Sequence, residues 1–99
     1  MFEIEYAEGV ANDLKLITAY QRAIILDRID EQLSHQPAIE TKVKKKIVGL
    51  RPPWHHEEPL WQLRVNEFRV FYDVNEEARK VVVRAIRRKP PQATAEEIV

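Results

Sequence analysis

The chain has 99 residues, with 16 Lys and Arg against 16 Asp and Glu, three His and no cysteine, for a formal charge of zero. One domain spanning residues 1–99 fits that length, the 44% hydrophobic content supplies one modest core, and no run approaches the roughly 18 uncharged apolar residues of a membrane helix. The lack of cysteine excludes a disulfide framework and thiolate metal sites and agrees with a reducing cytoplasm, while a neutral total argues against a nucleic-acid surface.

The zero conceals a split. Residues 1–40 carry eight acids and three bases, net −5; residues 41–91 carry thirteen bases and six acids, net +7; the last eight residues add Glu96 and Glu97. Such asymmetry points to a polyanion surface better than the total does.

In chain order, Phe2 to Tyr6 alternates apolar and acidic residues, the pattern of a half-buried strand, with acids where a secretory signal would carry bases. Val10, Leu14 and Ile17 then lie on one face of a short helix. Thr18 is placed to cap a second helix that ends before Pro37, with Ala19, Ala23, Leu26, Ile29 and Leu33 as its apolar stripe. The short joint predicts an antiparallel helical hairpin. Residues 37–59 are irregular, rich in proline, and contain Lys42, Lys44, Lys45, Lys46 and Arg51 with no acid between them. A strand or a turn fits Lys44 to Leu50 equally.

Three strand-like runs follow, Leu60–Val65, Phe68–Val74 and Lys80–Arg88. Asn66-Glu67 is short enough for a tight hairpin, and Thr94 can cap a final helical turn. The expected fold class is α+β: an N-terminal strand, and an antiparallel helical hairpin packed on one face of a mainly antiparallel sheet with a C-terminal three-stranded meander.

Alternation sorts each strand into two sets. Trp61, Leu63, Val65, Phe68, Val70, Tyr72, Val74, Val81, Val83 and Ala85 form an apolar face for the helices to cover. The other set holds Arg64, Arg69, Arg84 and Arg88 beside Phe71, Ile86 and Val82, with Leu60, Gln62 and Asp73. If Val65 pairs with Phe68, Arg64 faces Arg69 directly, a like-charge pair that costs up to about 1 kcal/mol. Arginine offers a planar fork suited to phosphate and to stacking on bases, so this face, with an exposed Phe71, reads as a phosphate-and-base surface. Arg87 falls on the apolar set by parity, at a strand end where it can leave the core; with Arg88 and Lys89 it makes a basic exit. Lys44, Lys45 and Lys46 extend the patch.

The order strand, helical hairpin, meander resembles the RelE/ParE superfamily of bacterial type II toxins. So do the strings from Trp61 to Val74 and from Val81 to Lys89, most specifically Phe68-Arg69-Val70-Phe71-Tyr72. The resemblance covers nearly the whole chain. It implies a cytoplasmic toxin held inactive by a cognate antitoxin, with oligomers formed through that complex. No cofactor is expected, nor a metal, since the sequence offers no i, i+4 His pair and no third ligand with a reason to converge. In the RelE branch it implies a ribosome-dependent endoribonuclease that cuts mRNA by in-line attack of the ribose 2′-oxygen. Arg69 matches the family arginine that stabilises the transition-state phosphate, and Arg88, with Arg87 beside it, matches the basic pair closing the last strand. Arg64 and Arg84 fit phosphate positioning by geometry.

Two departures bear on the chemistry. Leu60 and Gln62 stand where RelE-type enzymes place basic residues, typically lysines, and residues 90–94 lack the family's C-terminal tyrosine or histidine. The groups left to titrate near neutral pH are in His55-His56-Glu57-Glu58, of which at most one His reaches the arginine face; His56 is the candidate general acid or base. These departures keep two alternatives open: a ParE-like DNA gyrase inhibitor, or a catalytically degenerate member that only binds antitoxin.

Overall fold

The computed structural model describes residues 1–90 and 93–99, and the side chains of these except Ala95 and Glu96. The elements are β1 (Glu3–Tyr6), α1 (Val10–Lys15), α2 (Ala19–Leu33), β2 (Lys44–Ile47), β3 (Leu60–Val65), β4 (Phe68–Asn75), β5 (Lys80–Arg88) and a terminal turn α3 (Ala95–Ile98). The five strands form one sheet in the order β1-β5-β4-β3-β2, antiparallel except for β1 beside β5. No helix among the described residues is long and apolar enough to cross a membrane.

Local chemistry explains the elements. Thr18 is extended and its hydroxyl accepts from the Gln21 amide, as the capping expectation requires. Asn66 takes a positive φ of 54° in the two-residue turn, a conformation Asn tolerates better than most residues. The turn sets the expected register, with Val65 opposite Phe68 and Arg64 opposite Arg69. The ambiguous lysine run forms β2, an edge strand antiparallel to β3. Its charged side chains suit an unpaired edge.

The helices cover the apolar sheet face. Val10 of α1, Ile17 of the joint and Ile25, Ile29 and Leu33 of α2 bury against Trp61, Leu63, Val70, Tyr72, Val81 and Val83. Tyr72 anchors this layer: its ring stacks on Trp61 at 6.3 Å and its hydroxyl donates to the Pro37 carbonyl at 2.7 Å. Burial pushes its pKa well above the ordinary tyrosine value. A phenol raised in the folded state adds stability that is whole below its unfolded pKa of about 10 and is lost as pH climbs toward the folded value. The urea midpoint should therefore fall from about pH 10 upward, and Tyr72→Phe should flatten that fall. At neutral pH the same substitution leaves a buried carbonyl unpaired, at a cost of about 1–2 kcal/mol.

Two features depart from strict alternation. Phe71 pairs with Ala85 and Tyr72 with Val83, so Arg84 is an extra residue on β5, a β-bulge. Beyond it the parity of β5 inverts. Ala85, expected under the helices, lies on the opposite face with Phe71 and Leu60; Ile86, expected on that opposite face, joins the main core. The opposite face is also partly covered. Leu60, Phe71 and Ala85 form a second core under Ile47, Leu50, Trp54, Ile98 and Val99.

Candidate nucleic-acid interface

The bulge re-sorts the arginines. Arg69 on β4 lies between Arg64 on β3 and Arg87 on β5, directly opposite both, so these three form a row across the sheet. Arg87, which parity assigned to the apolar set, is the third member. Arg88, expected on the arginine face, is opposite Phe68 on the helix side. There it pairs with Glu67 at 2.8 Å and lies 5.6 Å over the Phe68 ring. Arg84 is drawn off by the bulge into a buried ion pair with Asp73, at 2.7 and 3.3 Å, and Asp73 also accepts from the Glu57 amide at 2.9 Å. An arginine so engaged is not free to bind phosphate.

Phe71 is not an exposed stacking platform. It is 0% exposed, with Trp54 5.4 Å away across a tilted ring pair. The covering loop carries no periodic signal that alternation along β4 could register. Lys44 is corrected similarly: it points to the helix side, and its buried amine donates to the carbonyls of Gln32 and Gln36 near the end of α2, at 3.1 and 2.7 Å. Cation donation to the last carbonyls of a helix satisfies groups that have no helical partner. Burial lowers the Lys44 pKa. Lys46 lies opposite Trp61, and Lys45 opposite Gln62 on the arginine side.

What remains is a cleft of about 270 Å³ lined by Lys42, Lys45, Gln62, Arg64, Arg69 and Lys89, with no acid among its described walls. Arg64 and Arg69 have no ion-pair partner among the described residues, whereas Arg84, Arg87, Arg88 and Lys80 are each matched to carboxylates. Arg69 is held by its own hairpin, donating to the carbonyls of Asn66 and Phe68 at 2.9 and 2.8 Å. Burial first, and then the charge of Arg64, push its pKa below the ordinary arginine value. It stays protonated at any working pH. Two facing guanidiniums with unmet charge are set to donate together to an anionic oxygen acceptor such as a phosphate.

Arg87 is fixed from the other side. Asp13 of α1 pairs with its guanidinium at 2.7 Å and accepts from the Ile86 amide at 3.0 Å, and the guanidinium lies 5.1 Å over the Trp54 ring. Asp13 thus closes the hydrogen bonding of β5 where no further strand continues the sheet. Nothing in the spacing of α1 marks this acid. Asp13→Ala should cost about 1–3 kcal/mol, the range for leaving a partly buried donor unpaired, and a urea titration would measure it.

His56 is not among the described residues lining the basic cleft; its Nε2 lies 3.2 Å from Glu58 Oε1. A separate cleft of about 410 Å³ gathers Glu8, Asp13, Trp54, His55, Arg84 and Arg87, so His55 is the histidine beside an arginine of the row. Pro91 and Gln92, in the stretch compared with the family's C-terminal hydroxyl or histidine, lie outside the described residues. No group of His, Asp or Glu among the described residues is arranged to hold a metal.

This chain order, sheet order and helical cover define a RelE-like fold. Solved structures similar to the chain carry it in both domains of prokaryotic life. The RelE–RelB complex of Pyrococcus horikoshii is 18% identical with a TM-score of 0.69, covering 93% of this chain and 98% of that one. The toxin–antitoxin complex RelBE2 of Mycobacterium tuberculosis is 17% identical, TM-score 0.69, covering 89% and 98%. The isolated E. coli RelE toxin is 17% identical, TM-score 0.61, covering 98% and 94%. No protein-family model and no curated protein matches the chain.

Proposed function

We propose that the chain is the toxin of a type II toxin–antitoxin system, acting in the cytoplasm as a ribosome-dependent mRNA endoribonuclease and neutralised by a cognate antitoxin. The observation that carries this reading is the Arg64–Arg69 pair: like charges directly opposed on adjacent strands, with no acid among the described residues to relieve them, over a cleft of further bases. A protein holds such a pair at a cost to stability, and an anionic ligand repays it. The RelE-like fold and the RelE–RelB complexes with that fold support the toxin role and the antitoxin partner.

In the proposed reaction the 2′-hydroxyl gives up its proton to water and its oxygen attacks the adjacent phosphorus in line. The bond from phosphorus to the 5′-oxygen breaks, leaving a 2′,3′-cyclic phosphate, and the departing 5′-oxygen takes a proton from water. Arg69 and Arg64 stabilise the charge that builds on the phosphorane oxygens, and Lys45 and Lys89 hold flanking phosphates. Arg87, preset by Asp13, sits next to Arg69 at the strand end where the leaving oxygen would be stabilised. Arg88, Arg84, Phe71, Lys44 and His56 carry no direct role in this version.

A second reading has its own observation. The described walls of the cleft hold no histidine, tyrosine or carboxylate to shuttle a proton, which favours a member that binds without cutting, as a gyrase inhibitor or an antitoxin-binding relic. Induction followed by primer extension on a translated mRNA, beside a plasmid supercoiling assay, separates them. Ribosome-linked cuts are the expected result; relaxed or cleaved plasmid with intact mRNA would overturn it.

A further inference from the structure

Gln62 lies in the basic cleft yet is neither cationic nor paired. It is 7% exposed, and its Oε1 is buried with no hydrogen-bond partner among the described residues. Buried polar side chains are almost always paired, so an unpaired amide in the wall of a cleft marks a place for a ligand group. Its cross-strand neighbours are Lys45 and Phe71. Arg64 is two residues along the same strand, about 7 Å away at the usual rise.

The rest of the lining narrows the ligand group. The cations are suited to phosphate oxygens, and no aromatic side chain lines the cleft to stack a base. That composition fits a sugar–phosphate backbone. Its neutral hydrogen-bonding group is the ribose hydroxyl, which both donates and accepts and is what separates RNA from DNA at a given site.

We infer that Gln62 is the ribose-recognising residue of the cleft: its amide hydrogen-bonds the 2′-hydroxyl of a strand whose neighbouring phosphate lies on Arg64 and Arg69. The cleft thereby takes RNA in preference to DNA. This rests on the RNA-binding reading above and assigns it a determinant of sugar type.

The test is fluorescence anisotropy of the purified 99-residue chain with labelled single-stranded octamers of uridine, deoxyuridine and 2′-O-methyluridine. One neutral hydrogen bond corresponds to about a 3- to 10-fold difference in affinity. The ribo strand should bind tighter by that factor, and the 2′-O-methyl strand, which cannot donate, should bind like the deoxy strand. Gln62→Met should bring ribo and deoxy affinities within 2-fold, roughly the edge of resolution for a contact of this size, whereas Arg69→Ala should weaken both and keep their ratio. Equal binding of ribo and deoxy strands by the native protein overturns the ribose contact alone, as does an undiminished preference in folded Gln62→Met. Binding of none of the strands overturns the RNA-binding reading as well. The 2′-O-methyl comparison decides the matter without any substitution should Gln62→Met fail to fold.

Discussion

Arg69→Ala should lower the rate of mRNA cleavage by about 10²- to 10³-fold, the range for removing one preorganised donor to a developing oxyanion, and should abolish growth arrest on induction. The fold should survive. Arg69 spends its intramolecular hydrogen bonds on carbonyls of its own hairpin, and removing it also relieves the repulsion from Arg64, worth up to about 1 kcal/mol. These terms offset, so the urea midpoint should move little. Arg69→Lys keeps the charge but loses the fork that can serve two oxygens at once, and should recover part of the activity. Primer extension on the same message, with the variant at matched abundance, gives the rate. Unchanged cuts in Arg69→Ala would remove the arginine pair from the mechanism, whatever the fold suggests.

Phe71→Ala has the opposite signature, a loss of stability. The side chain fills the middle of the second core, beneath Trp54 and between Leu60 and Ala85. Emptying such a site costs about 3–5 kcal/mol, a large part of the 5–15 kcal/mol that holds a typical domain together. Urea unfolding followed by tryptophan emission should show a lower midpoint and an altered native spectrum, because Trp54 loses its ring partner. Were Phe71 a solvent-facing stacking residue, truncation would cost no more than about 0.5 kcal/mol and would weaken RNA binding directly. The two outcomes are far enough apart to be told with one titration.

These two residues also show what could be read from the chain. Arg69 was legible because its position depends on short-range geometry: a two-residue turn at Asn66-Glu67 forces Arg64 opposite, and alternation does the rest. The main core was legible for the same reason, since the helix stripe and the apolar strand set each have a period. Phe71 was misread because its cover comes from residues 47–54 and from Ile98 and Val99, segments remote in sequence and without any period. Lys44 was misread because a solvated lysine and one that ends a helix look alike until α2 is brought beside β2. The roles of Arg84, Arg87 and Arg88 hinged on the one extra residue in β5, which leaves no compositional trace.

That extra residue makes β5 two registers joined end to end. Upstream of Arg84, odd-numbered side chains face the helices; downstream, even-numbered ones do. Which basic side chain completes the row beside Arg69 is thus decided by a count: deleting residue 84 would only remove the bulge, joining Val83 to Ala85 in plain alternation and leaving Ile86 and Arg87 on their present faces. A deletion of residue 85 that kept the bulge would instead set Ile86 opposite Phe71 and Arg87 opposite Val70, burying a guanidinium under the helices. The chain length between Arg84 and Arg87 therefore carries as much information about the site as the arginines themselves. In a fold of this kind, insertions and deletions inside the last strand are changes to the chemistry, even when every side chain concerned is retained.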